Sequence, residues 1–183
     1  MNQFYEMQSM KNKINELNTR LQHPRRSLGN RHKSQALKFL NLGKQEPNIT
    51  WAEQNAKQAI LYDFTNPDNW RILIQIKVIN KDALGIRLVL EDLFTVLGRD
   101  SELLNQLEIV DLVNNGQELL EAAFKIDPLD SEIWWNIVKD NDVEIDKFSS
   151  RLKRLDTRDS RANILFSKRI KKLWESGYEE LFI

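Results

Sequence analysis

Lys147, Arg151 and Arg154 are the residues whose type and spacing point most directly to binding chemistry in this 183-residue chain. At the helical rotation of about 100° per residue they share one face, turned about 110° from the apolar stripe of Ile145, Phe148, Leu152 and Leu155. Arg158, Arg161, Lys168, Arg169, Lys171 and Lys172 extend this basic region, and a second cluster gathers Arg25, Arg26, Arg31 and Lys33. If the two clusters met, they would contact phosphates of RNA or DNA through several cations, with strongly salt-dependent binding. The competing expectation is internal neutralisation. Residues 1–45 carry nine Lys/Arg against Glu6 and Glu16, residues 46–146 carry eight against twenty Asp/Glu, and residues 147–172 carry ten against Asp156 and Asp159. Basic ends therefore flank an acidic middle that would repel a polyanion and attract a basic or amphipathic ligand.

Catalytic chemistry finds little support. His23 and His32 stand nine residues apart, away from the i, i+4 register of a helical metal site, and are expected to be solvated. Adjacent acids such as Glu91 and Asp92 diverge by about 100° on a helix and make a poor acid/base couple. No phosphate-binding glycine loop, nucleophile elbow or dinucleotide fingerprint occurs. We therefore expect a protein that is not an enzyme and has no catalytic residues, metal site or cofactor.

Composition agrees with a helical domain: 41% of residues are hydrophobic and 30% charged, with six glycines and four prolines. The absence of cysteine excludes disulfides and thiolate metal sites. The first residues lack a signal-peptide pattern, and no apolar run approaches the roughly 20 residues of a membrane span, so a cytoplasmic location is expected, with the nucleus an alternative.

The elements that must position these residues follow from periodicity. Met7, Met10, Ile14, Leu17 and Leu21 form a two-heptad seam, predicting an amphipathic helix that either packs back on the domain or pairs with another chain. Pro24 and Gly29 predict a basic loop over residues 23–33, and a short helix over 36–42 ends at Gly43. Thr50 and Glu53 predict a capping box and a helix starting near Trp51. The run Arg71 to Ile79 alternates like a strand yet also fits a helix, and lacks a partner strand, so helix is the expectation. Apolar stripes then predict helices through Ile86–Leu97, Leu103–Val110, Gly116–Ala123, Ile145–Leu155 and Ala162–Leu173.

An Asp precedes Asn or Ser at Asp68, Asp100, Asp130 and Asp159, at spacings near 30 residues. Asx and Ser side chains cap free N–H groups at helix starts, so the recurrence predicts one helical hairpin per repeat. Gly116, Leu120, Ala123, Pro128 and then Trp134 match the small, bulky, Ala, Pro, Trp spacing of the tetratricopeptide repeat. The chain over roughly residues 50–175 thus resembles that family, with units of 29 to 32 residues instead of 34, and with Thr157, Val138 and Asn141 departing from its pattern. The resemblance implies an all-α fold, antiparallel helical hairpins stacked as a short superhelix. It also implies a peptide- or protein-binding groove near Trp70, Asn105, Trp135 and Asn136, with Trp134 wedged between helices; Trp135, rotated about 100° from Trp134, points elsewhere.

At the C-terminus Trp174, Tyr178 and Phe182 fall at i, i+4, i+8, either capping the repeat array or forming a tail motif with aromatic anchors. The expected organisation is an N-terminal amphipathic helix over 1–22, a basic loop and short helix over 23–47, a repeat domain over 48–176 and an acidic-aromatic tail over 177–183. The expected function is a noncatalytic adaptor or scaffold for a protein or peptide partner. The alternatives are an RNA- or ribonucleoprotein-associated factor and a self-assembling structural protein, homo-oligomeric through the N-terminal helix.

Overall fold

The structure, a computed structural model, describes residues 2–22, 24–99, 105–155 and 158–178, and the side chains of these except 15–22. Among the described residues every regular element is helical: α1 (Asn2–Gln22), α2 (Pro24–Leu42), α3 (Asn48–Tyr62), α4 (Pro67–Ile79), α5 (Ala83–Val96), α6 (Leu112–Ile126), α7 (Ser131–Val138), α8 (Asp142–Lys153) and α9 (Ser160–Glu175), with a 3₁₀ turn at Gln106–Ile109. The protein is all-α. None of these helices is long and apolar enough to cross a membrane. The chain divides into two compact units, residues 1–64 and 65–183.

The first unit is built on an α2–α3 hairpin, so residues 48–62 pair with α2, whereas the sequence places them with the repeats. The expected loop over 23–33 is helical from Pro24 onward. Pro24 occupies the first helical position, where its missing N–H costs no hydrogen bond. Gly29 is there for proximity: a Cβ on it would stand 2.8 Å from the Asp63 Cβ. Buried Ala36, Ala52, Ala56 and Ala59 keep the two helices close. Arg25 Nη2 donates to the Leu61 carbonyl at 2.9 Å, and its guanidinium lies over the Tyr62 ring. His32 is not a solvated side chain: its Nδ1 lies 3.0 Å from Asn55 Oδ1 and its ring stacks on Tyr62.

Helix α3 begins at Asn48, ahead of the expected capping box. Thr50 is inside the helix and donates to the Glu46 carboxylate, while Pro47 occupies the cap position without a side-chain cap. In α1, Met7, Met10 and Ile14 are each more than half exposed, so this part of the seam does not pack back on the domain. Leu17, Leu21 and His23 lie outside the described side chains.

In the second unit the ambiguous run is helix α4, which buries Trp70, Leu73, Ile74 and Ile76. The face of Ile86, Leu90, Leu93 and Leu97 is fully buried, and α6 closes on it at Gly116, where a Cβ would meet Ile86 Cγ2 at 2.6 Å. Asx capping sets nearly every helix start: Asn66, Asp82, Asp111, Asp130, Asn141 and Asp159 each accept from an N–H of the following turn. At the first of the four recurring Asp positions the cap is Asn66 and Asp68 sits inside the helix. Asp100 and Leu103 lie outside the described residues; of the helix expected over Leu103–Val110, Gln106–Ile109 form the 3₁₀ turn and Leu107 is buried.

Two helices end in a Schellman motif with a left-handed glycine. Gly98 (φ 64°) donates to the Thr95 carbonyl and Arg99 to the Phe94 carbonyl; Gly177 (φ 88°) donates to Trp174 and Tyr178 to Leu173. The first motif ends at Arg99, whose side chain reaches Asp127. The second ends α9 at Glu175, so Trp174 and Tyr178 are not on one continuous helix.

Candidate anion-binding cleft

Helix α6 ends at Ile126, and Pro128 prevents its continuation, so Asp127 turns inward at the joint between α6 and α7. There it is 1% exposed, a burial an ionised carboxylate survives only with partners. Three arginines supply them. Arg99 Nε and Arg151 Nη1 both donate to Asp127 Oδ2, at 2.9 and 2.8 Å, and Arg169 Nη2 stands 2.9 Å from Oδ1. Burial works to raise the Asp127 pKa, and the charges of Arg169, Arg151 and Arg99 overcome it, holding the carboxyl below its ordinary value.

Arg169 is itself fully buried. It donates to the Pro128 carbonyl at 3.1 Å, and its guanidinium lies 5.0 Å from the Trp134 ring centroid and 5.6 Å from that of Phe166. Burial lowers its pKa to about 10, against the pull of Asp127, which leaves it charged at neutral pH. Trp134 in turn packs on Phe148, centroids 4.9 Å apart, and Phe148 stacks on Phe166. The first tryptophan of the pair is thus the wedge between α7, α8 and α9. The second, Trp135, is half-buried, edge-on to Tyr178 at 6.2 Å.

On the solvent side of this cluster lies a cleft of about 570 Å³. Its cations are Arg99, Lys147, Arg151 and Arg154; Ile126, Trp134, Val138 and Val143 give it an apolar flank. Glu144 and Asp146 add acidic groups to the lining, with Glu144 3.3 Å from Lys147 Nζ. The Arg154 guanidinium has no acidic partner among the described residues. The volume is within the usual range of small-molecule and peptide-anchor sites.

The structure thus brings Lys147, Arg151 and Arg154 together as the sequence suggested and adds Arg99, which sequence reasoning missed. The other basic residues lie elsewhere. Arg161 clamps Asp92 with two hydrogen bonds and also bonds Asp159, Lys172 pairs with Glu132, and Lys168 is exposed. Arg26 and Arg31 are exposed on α2, Lys33 is half-buried there, and all three belong to the first unit with Arg25.

The groove residues separate. Trp70 has no exposed surface and serves the core, whereas Asn105 and Asn136 are exposed. Trp174 is half-exposed, Tyr178 covers Trp135, and Phe182 lies outside the described residues. Arg169 carried a legible signal. It falls three residues after Phe166 and four before Leu173, on the apolar face of α9, where a charge must find a buried partner.

Comparison with protein-family models, with curated proteins and with solved structures yields no match to this chain.

Proposed function

We propose that the chain is a noncatalytic partner-binding module that holds an acidic segment of another protein in the cleft of its second unit. The observation that supports this reading is the convergence of Arg99, Lys147, Arg151 and Arg154 beside an apolar flank. Cations beside apolar side chains suit a peptide that carries acidic and aliphatic residues together.

The charge of the ligand is the reverse of the one the acidic middle suggests. Much of that acidity is engaged within the fold: Asp68 and Glu121 on Arg71, Glu91 and Glu108 on Arg87, Asp92 on Arg161, and Asp82, Asp111 and Asp130 on helix starts. The formal −12 of residues 46–146 therefore overstates the field a ligand meets. Titrating a fluorescent peptide of alternating Glu and Leu against the protein tests the reading. Binding that weakens with salt and with Arg154→Ala supports it; preference for a Lys/Leu peptide of equal length refutes it.

A second reading, self-association through α1, is favoured by the exposure of Met7, Met10 and Ile14 along one heptad seam. A mass independent of concentration in sedimentation would dismiss it.

A further inference from the structure

Resting on the reading of the cleft as a site for an acidic protein segment, we propose that the group it selects is a phosphomonoester, presented as a phosphorylated Ser or Thr flanked by aliphatic residues. The argument begins with Asp127. Arg99 and Arg151 donate to the same oxygen, Oδ2, so their guanidiniums are held side by side before any ligand arrives. A guanidinium has five N–H donors. Asp127 takes Nε and one Nη2 contact from Arg99 and one Nη1 contact from Arg151, which leaves donors on both for a further acceptor. Both residues line the cleft. Holding both forks on one carboxylate reduces the ordering cost of binding an oxyanion there.

Charge then separates phosphate from carboxylate. Arg99, Arg151, Arg169, Lys147 and Arg154 face Asp127, Glu144 and Asp146, an excess of two positive charges around one cleft. A phosphomonoester carries close to two negative charges at neutral pH and three acceptor oxygens, whereas a Glu or Asp side chain carries one charge and two. The match in charge and in acceptor number favours the phosphate.

The flank favours a peptide over a nucleic acid. Single-stranded RNA needs open aromatic faces for its bases. The cleft's aromatic ring, Trp134, is buried, with Phe148 and the Arg169 guanidinium packed against it. The apolar surface the cleft offers beside its charged groups is aliphatic, from Ile126, Val138 and Val143.

The test compares a short peptide with phosphoserine between leucines, the same peptide with Glu or Ser at that place, inorganic phosphate, and a single-stranded oligouridylate. Affinity and the amide NMR shifts of Trp134, Val138 and Val143 are followed. The expected result is saturable movement of these amides by the phosphopeptide, with roughly tenfold tighter binding than the Glu peptide. Arg154→Ala, at an exposed residue outside the buried cluster, should weaken the phosphopeptide several-fold and leave the melting temperature unchanged. Equal affinity for the Glu and phosphoserine peptides would overturn the phosphate assignment and leave the acidic-segment reading standing. Failure of both peptides to move these amides would sink both readings. Inorganic phosphate binding as tightly as the phosphopeptide would assign the site to free phosphate, and oligouridylate moving the amides in preference to either peptide would assign it to nucleic acid.

Discussion

Arg169 Nη2 lies 2.9 Å from Asp127 Oδ1, with neither side chain exposed to more than 1%. This pair joins the α6–α7 joint to α9 and holds in place the arginines that reach the cleft. Truncating Asp127 leaves the Arg169 charge buried and uncompensated, whereas truncating Arg169 leaves Asp127 its contacts with Arg99 and Arg151.

Asp127→Ala should therefore destabilise the protein by about 3–5 kcal/mol, the range for breaking a buried ion pair from one side. The double variant Asp127→Leu, Arg169→Met should lose less, because it removes the buried charges together while Arg99 and Arg151 still reach solvent. Urea denaturation of the single and double variants measures both. A double variant no more stable than Asp127→Ala would mean that the pair is not what the single change breaks.

The same carboxylate fixes a pH response. Its folded-state pKa is depressed, as is that of Asp159, where burial pushes upward and hydrogen bonds from the Arg161 side chain and the Ala162 amide prevail. A depressed acid binds fewer protons folded than unfolded. Its stabilisation is thus complete above the unfolded-state value of about 3.9 and is lost as pH falls through the folded value. Stability measured by denaturant titration should fall below about pH 4, more steeply in the parent protein than in Asp127→Asn. Parallel pH profiles for the two would contradict this.

The helices and most of their starts were legible in the sequence because both follow from local rules: the 3.6-residue period, and Asx side chains ahead of an apolar stripe. The run Arg71 to Ile79 resolved as helix, its alternation accommodated because α4 is buried on more than one face. Two local signals misled. Pro24 and Gly29 read as a loop because periodicity cannot show that Pro24 opens a helix or that Gly29 exists to admit Asp63. The centre of the cleft was hidden for a different reason. Asp127 meets Arg99, Arg151 and Arg169 across separations of 24 to 42 residues, and no local pattern reports which distant charges a fold will superimpose.

The contact between α5 and α6 depends on the missing side chain of Gly116. A Cβ there would stand 2.6 Å from Ile86 Cγ2, against a fully buried residue that cannot yield freely. Gly116→Ala should cost about 1–3 kcal/mol despite the better helix propensity of alanine. Adding Ile86→Ala, which removes the opposing methyl, should make the two costs less than additive. Additive costs in a thermal double-mutant cycle would show that the two residues do not meet.

Helix α4 ends as α5 and α9 do, in a Schellman motif, but with a lysine where they place glycine. Lys81 has φ 52°, and its amide and that of Asp82 donate to the Val78 and Lys77 carbonyls. A lysine there bears the left-handed penalty that glycine escapes, about 1 kcal/mol, partly offset by the greater freedom of glycine in the unfolded chain. The Lys81 side chain is exposed, whereas the neighbouring ion pair of this turn belongs to Lys77 and Asp82. Lys81→Gly should therefore raise stability by up to about 1 kcal/mol. Gly177→Ala, at φ 88° with open space around it, should lower stability by a similar amount for the mirror reason. Because Tyr178 is the residue this second motif delivers onto Trp135, Gly177→Ala should also shift the Trp135 fluorescence. An unchanged melting temperature together with an unchanged emission spectrum would show that the turn does not hold Tyr178 in place.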